Sequence, residues 1–112
     1  FVWHLPIILF SSYNAGPDGM AVQLVAFAVL VFSLSVIAGY LRLKSGSVWP
    51  AAILHAAHNS FIVLYAERMT IDYDVTPFFG GEFGVLVPAA SLVLALYFLR
   101  RTAREGLWQT AH

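Results

Sequence analysis

The sequence predicts an all-α fold, a polytopic transmembrane bundle of about four helices in which the first is truncated. Of the 112 residues, 60% are hydrophobic and only 11% are charged, whereas soluble domains carry about 25% charged residues. The apolar residues fall into four segments, and the longest meets the requirement of about 20 apolar residues for one membrane span. The charged residues lie mainly between these segments.

The first two segments are separated by a stretch that favours turns. The first runs from Phe1 to about Phe10 or Tyr13, and the turn-forming stretch 11–19 follows it. The start of the chain has no initiator Met and no basic n-region, so we expect a chain entered in mid-helix, as in a fragment of a longer protein. The second segment runs from Met20 to Leu41, and the cations and glycine of residues 42–46 predict a helix stop.

The third and fourth segments enclose a longer polar loop. The third runs from Ser47 or Val48 to Tyr65, with Ser47 as the expected N-cap and Pro50 in the first turn, where its missing N–H does no harm. The fourth runs from about Phe83 to Leu99. Between them, the loop 66–82 is too polar to be another span.

The charges predict an orientation in the membrane. In an alternating four-helix path, five of the six Lys and Arg residues lie on one side and five of the six acidic residues on the other. The positive-inside rule then predicts an integral protein of a bacterial-type plasma membrane, with a cytoplasmic tail at residues 100–112 and an extracytoplasmic loop at 66–82. Because the formal net charge is zero, no nucleic-acid partner is expected. The absence of cysteine excludes disulfides and thiolate chemistry.

Polar residues inside the predicted spans are the candidate functional residues. His55, His58 and Asn59 stand at positions i, i+3 and i+4 and share one helix face. At about 1.5 Å per residue, His4 in the first span reaches a similar depth, so it can meet them in a core about 30 Å thick. Imidazoles polarise carbonyls, relay protons or bind metals, and an amide stabilises an oxyanion. Water activation needs a carboxylate or a metal in addition, and no span contains an acidic residue.

Other interpretations of these residues stay open. Asn59 is also compatible with a hydrogen bond between helices in a non-catalytic scaffold or a transporter-like bundle. Ser33 and Ser35 are expected to bond back to their own helix. Three neutral imidazoles, His4, His55 and His58, are also a possible set of zinc ligands.

The run from Gly39 to Asn59 resembles the third motif region of the CPBP intramembrane proteases. This family, also called Abi, includes type II CAAX prenyl proteases and bacteriocin-processing enzymes. Its motif, His-x-x-x-Asn (or Asp) after a Gly-Ser-x-Trp-Pro-like helix entry, is matched by His55 and Asn59. His4 occupies the place of the second motif, Phe-x-x-x-His, whose Phe would precede Phe1. The first motif, Glu-Glu-x-x-x-Arg, has no match and would lie upstream.

The resemblance implies an intramembrane endopeptidase. Residues 1–112 would be the C-terminal portion of one protease domain, inactive alone without the upstream glutamate that activates water. It implies that His4 assists this glutamate and that His55 and Asn59 stabilise the oxyanion, whereas His58 is not a motif position. It implies no cofactor, with the zinc site as the alternative. The expected partners are membrane lipids and a peptide or lipidated-protein substrate, and no oligomeric state is predicted.

Overall fold

In a computed structural model, residues 2–10, 20–66 and 84–109 are described, and every regular element among them is helical. This confirms the all-α prediction for that part of the chain. Four helices follow one another, the first preceded by a 3₁₀ turn at Val2–His4 and the third continued by a π-helix at Asn59–Ala66: α1 Leu5–Phe10, α2 Met20–Ser45, α3 Trp49–His58 and α4 Leu86–Arg104. Apart from Ala66, the predicted loop 66–82 lies outside the described residues.

Two of the described helices are candidate membrane spans by length and composition. Helix α2 has 26 residues, and its most apolar stretch of 18 residues has a mean hydropathy of 2.5. Helix α4 has 19 residues, and the corresponding value is 1.3. Both end later than the apolar runs predicted, at Ser45 instead of Leu41 and at Arg104 instead of Leu99. The physical reason is that basic side chains are favourable in the last turn of a helix, so each helix outlasts its apolar run.

Glycines end both long helices. Gly46 has a φ of 66°, and its N–H donates to the Arg42 carbonyl at 3.1 Å, which confirms the predicted helix stop. Gly106 has a φ of 65° after α4. There the Gly106 N–H donates to Ala103 and the Leu107 N–H to Thr102, the pair of bonds that defines a Schellman motif.

The start of α3 differs from the prediction by one residue. The N-cap is Val48, whose side chain makes no capping hydrogen bond, so the assignment of Ser47 as N-cap was wrong. The Ser47 hydroxyl still accepts a hydrogen bond from the N–H of Trp49, two residues on, at 3.3 Å. Pro50 lies in the first turn, as expected.

Helix α2 lies at the centre and packs against both α3 and α4. The Tyr40 ring contacts the Phe98 ring at 4.7 Å between centroids, and Lys44 Nζ lies 2.6 Å from a carboxylate oxygen of Glu105. These contacts advance in the same direction along both helices, so α2 and α4 run parallel. The turn at Gly46 sends α3 back along α2. This order of directions is the one that an alternating path through a membrane requires.

The described hydroxyls mostly bond to their own helix. Ser35 donates to the Val31 carbonyl at 2.7 Å, as predicted. Ser91 and Thr102 do the same within α4. Ser33 is 2% exposed, yet its hydroxyl has no hydrogen-bond partner within the described residues, so the prediction for Ser33 was wrong. Ser33 lies at the interface of α2 with α4, where it lines a small pocket between the two helices.

Candidate active site

A cavity of about 480 Å³ lies between the 3₁₀ turn, α2 and α3. Its walls are largely apolar, and seven apolar residues line it: Phe27, Leu30, Val31, Leu34, Ala38, Ala51 and Leu54. Its polar lining comprises two serines, Ser35 and Ser60, together with His4, His55, His58 and Asn59. All four site residues named from the sequence therefore meet at one cavity, although they come from two separate segments.

His4 ends the 3₁₀ turn and enters the cavity beside α2. Its ring meets that of Phe27 edge to face, with centroids 5.3 Å apart and an interplanar angle of 69°. The Nδ1 atom is buried and has no hydrogen-bond partner among the described residues. A buried polar atom without a partner is unfavourable by about 1–3 kcal/mol. The described fold therefore leaves this nitrogen available for a group that it does not itself supply.

His55 and Asn59 form a pair on one face of the helix. The Asn59 Nδ2 atom lies 3.4 Å from His55 Nε2, a long hydrogen bond. With the amide as donor, Nε2 accepts and the neutral ring carries its proton on Nδ1. One N–H of the amide and the ring N–H then remain as donors for a ligand, and both side chains are exposed.

The helix changes its backbone pattern at this pair. The π-helix begins at Asn59 and runs to Ala66. Such segments are rare in proteins, and many of those that do occur lie at functional sites. No proline or glycine stands at this change, so it could not be predicted from the sequence. Ser60 follows Asn59 and also lines the cavity. The only sign of Ser60 in the sequence is its position next to the motif.

Three imidazoles line the cavity, but they do not form a set of metal ligands. His58 is half-buried there, beside His4 and His55. Within residues 2–10, 20–66 and 84–109, no three His, Cys, Asp or Glu side chains are grouped closely enough to hold a metal ion. This geometry does not support the zinc alternative.

The described part of the cavity offers hydrogen-bond donors but no carboxylate. Of the six acidic residues in the chain, Glu105 alone lies in the described ranges. Its carboxylate is bound to Lys44 and Arg101 beyond the end of α4, and it does not line the cavity. The described side chains can therefore orient and polarise a carbonyl, and none of the described residues that line the cavity supplies a carboxylate to activate water.

The family model for type II CAAX prenyl endopeptidase Rce1-like proteins matches residues 1–61. The match covers more than half of the 112 residues and includes the 3₁₀ turn, α2, α3 and the start of the π-helix. The chain belongs to this family of membrane-embedded prenyl endopeptidases, which confirms the resemblance drawn from the sequence. No curated protein and no solved structure matches the chain.

Proposed function

We propose that this chain is the C-terminal portion of an intramembrane endopeptidase that hydrolyses a peptide bond at the cavity between the 3₁₀ turn, α2 and α3. The observation that carries the proposal is the meeting of His4 with His55 and Asn59 at one cavity of about 480 Å³. Membership of the prenyl endopeptidase family supports the same class of reaction.

Each side chain has a proposed part in the hydrolysis. A glutamate of the first family motif, upstream of these residues, takes a proton from water, and His4 assists it. The water oxygen attacks the peptide carbonyl carbon, and the carbonyl oxygen becomes an oxyanion. N–H groups of His55 and Asn59 stabilise that charge. When the carbon–nitrogen bond breaks, the proton held by the glutamate passes to the leaving amine.

The proposed substrate is a peptide segment of a lipidated protein. The cavity combines a few polar groups with walls of Phe, Leu, Val and Ala side chains. Such walls suit an apolar chain beside the scissile peptide. We also propose that α1 and the third helix with its π segment complete a bundle of four spans. The Lys44 and Arg101 end would face the cytoplasm, since cations favour that side.

The test is peptide cleavage by the full-length protein that contains these residues, reconstituted in membranes. We expect His55→Ala and Asn59→Ala each to lower kcat by about 10²–10³, the usual loss for one oxyanion donor. We expect His4→Ala to lower it by about 10²–10⁴ because proton transfer is impaired. Gln109→Ala is the matched control, since it removes an exposed carboxamide that does not line the cavity. Unchanged turnover in both His55→Ala and Asn59→Ala would end the assignment.

A non-catalytic scaffold predicts a different outcome from the same variants. In a scaffold, Asn59 would hold two helices together and its removal would lower stability. In the described structure the Asn59 amide contacts His55, four residues earlier in the same chain segment. We therefore expect Asn59→Ala to keep the unfolding temperature of the parent while turnover falls. A large loss of stability, in a protein that never cleaves peptides, favours the scaffold.

A further inference from the structure

A second, separate groove of about 560 Å³ lies along α4, away from the site of proposed catalysis. Val93, Leu96 and Tyr97 line one part of it, and Arg100, Arg101 and Arg104 line the other, together with Glu105 just beyond the end of the helix. Spacings of three and four residues place the six helical residues on one helix face. The groove thus changes from apolar to cationic along the helix.

This face of α4 lies at the edge of the contact with α2. Leu96 also lines a pocket against α2, and the Arg101 guanidinium lies 5.9 Å from the centre of the Tyr40 ring. Ala95 and Thr102, on the other face, are each 2% exposed. In contrast, Val93 is 68% and Tyr97 is 53% exposed. Because α4 is a candidate membrane span of a membrane-embedded family, we expect lipid to contact the apolar part of the groove.

The three arginines of the groove carry more positive charge than the one described carboxylate there, that of Glu105, can neutralise. Arg101 is bound to Glu105, with Nε 2.6 Å from a carboxylate oxygen. Arg100 and Arg104 are exposed, and neither has an ion pair or hydrogen bond within the described residues. Two guanidinium groups one helical turn apart are therefore free to bind an anion, and guanidinium binds phosphate in a bidentate fashion.

We propose that this groove binds an anionic phospholipid. The phosphate of the lipid lies between Arg100 and Arg104, and an acyl chain extends along Leu96 and Val93. The rise from Arg100 back to Val93 is about 10 Å at 1.5 Å per residue, which accommodates the upper part of an acyl chain. A free phosphate ion would satisfy the arginines and leave the apolar part empty. Because the groove joins a cationic part to an apolar part, a phospholipid fits it better than a free phosphate ion. Binding of the lipid requires that α4 lies in the membrane, but it does not require that the protein is a protease.

The experiment is native mass spectrometry of the detergent-solubilised full-length protein with added lipid. The probes are phosphatidylglycerol, phosphatidylcholine and inorganic phosphate. The test variants are Arg100→Gln and Arg104→Gln. The control is Arg42→Gln, which removes one exposed cation of α2, outside the groove.

We expect phosphatidylglycerol to bind the parent in preference to phosphatidylcholine. Each groove variant should weaken that binding about five- to tenfold, since one arginine near a membrane surface contributes about 1 kcal/mol towards an anionic lipid. Arg42→Gln should leave it unchanged. The proposal is overturned if Arg42→Gln weakens binding as much as the groove variants, or if phosphatidylcholine binds equally well. It is also overturned if inorganic phosphate displaces phosphatidylglycerol from the groove, because the acyl chain would then contribute nothing.

Discussion

Two serines on the same helix differ in what their hydroxyls do. Ser35 donates to the carbonyl four residues earlier, at 2.7 Å. The Ser33 hydroxyl is buried and has no partner in the described part of the chain. An unpaired buried hydroxyl opposes folding, whereas a hydrogen-bonded one contributes about 0.5–1.5 kcal/mol to stability.

We expect Ser33→Ala to be more stable than Ser35→Ala by about 1 kcal/mol. Both changes gain the same helix propensity from alanine, so the difference reports the hydrogen bonds together with the burial of Ser33. Denaturant titration of the two variants in mixed micelles measures it. If Ser35→Ala proves the more stable of the two, the Ser33 hydroxyl must have a hydrogen-bond partner, and its assignment as unpaired is wrong.

The candidate site residues differ in how closely their positions could be predicted from the sequence. The spacing of His55 and Asn59 predicted a shared face, and their 3.4 Å contact is consistent with it. The helical rise predicted only that His4 reaches a similar depth, and the structure places it at the same cavity. Their catalytic roles stay predictions until turnover is measured.

At the scale of the helix, Gly39 and Gly46 lie close in sequence but in different backbone conformations. Gly39 is inside α2, and a Cβ there would meet nothing within 4 Å. Gly46 follows the helix with a φ of 66°, where a Cβ would also find open space. Space is thus equal at the two positions, and only the backbone conformation distinguishes them.

We expect Gly39→Ala to stabilise the protein by about 0.5–1 kcal/mol because glycine loses more backbone entropy in a helix. Gly46→Ala should destabilise it by about 1–2 kcal/mol because a positive φ is strained for an L-residue. Thermal unfolding of both variants in the same detergent measures the two shifts. Shifts of the same sign would contradict the assigned end of α2.

Helix ends were harder to predict than helix existence. The apolar runs predicted the second and fourth helices, yet both continue for four or five residues beyond those runs, two or three of them basic. Hydropathy locates the stretch that prefers lipid, whereas a helix ends where its last carbonyls find other donors. At α4 that place is the Schellman motif around Gly106, and at α3 the change to a π-helix has no sequence signal.

At the scale of the whole molecule, one carboxylate ties two helices together. Glu105 contacts Lys44 of α2 and Arg101 of α4, each at 2.6 Å. Hydrogen bonds, first from Lys44 and then from Arg101, hold the pKa of the Glu105 carboxyl below its ordinary value of 4.5. Because the folded pKa is the lower one, the ionised carboxylate stabilises the fold above the unfolded pKa, and this contribution is lost as pH falls through the folded pKa.

We therefore expect Glu105→Gln to lower the unfolding temperature near neutral pH, by an amount that shrinks as pH falls below 4.5. Melting curves of the parent and the variant across this pH range measure the effect. Arg42→Gln, in the same turn as Lys44 but without a described contact to Glu105, should show no such convergence. A gap between parent and Glu105→Gln that is constant with pH would show that the carboxylate's charge is not involved.

The sequence by itself determined the helical class, the order of the apolar segments and the shared face of His55 and Asn59. These features depend on hydropathy and on spacings of a few residues, which are local. The tertiary structure decided which helices pack against α2 and where the cavity lies. It also decided that Glu105 binds Lys44, 61 residues away in the chain. Contacts of that separation depend on how the helices pack, and no local pattern in the sequence encodes that packing.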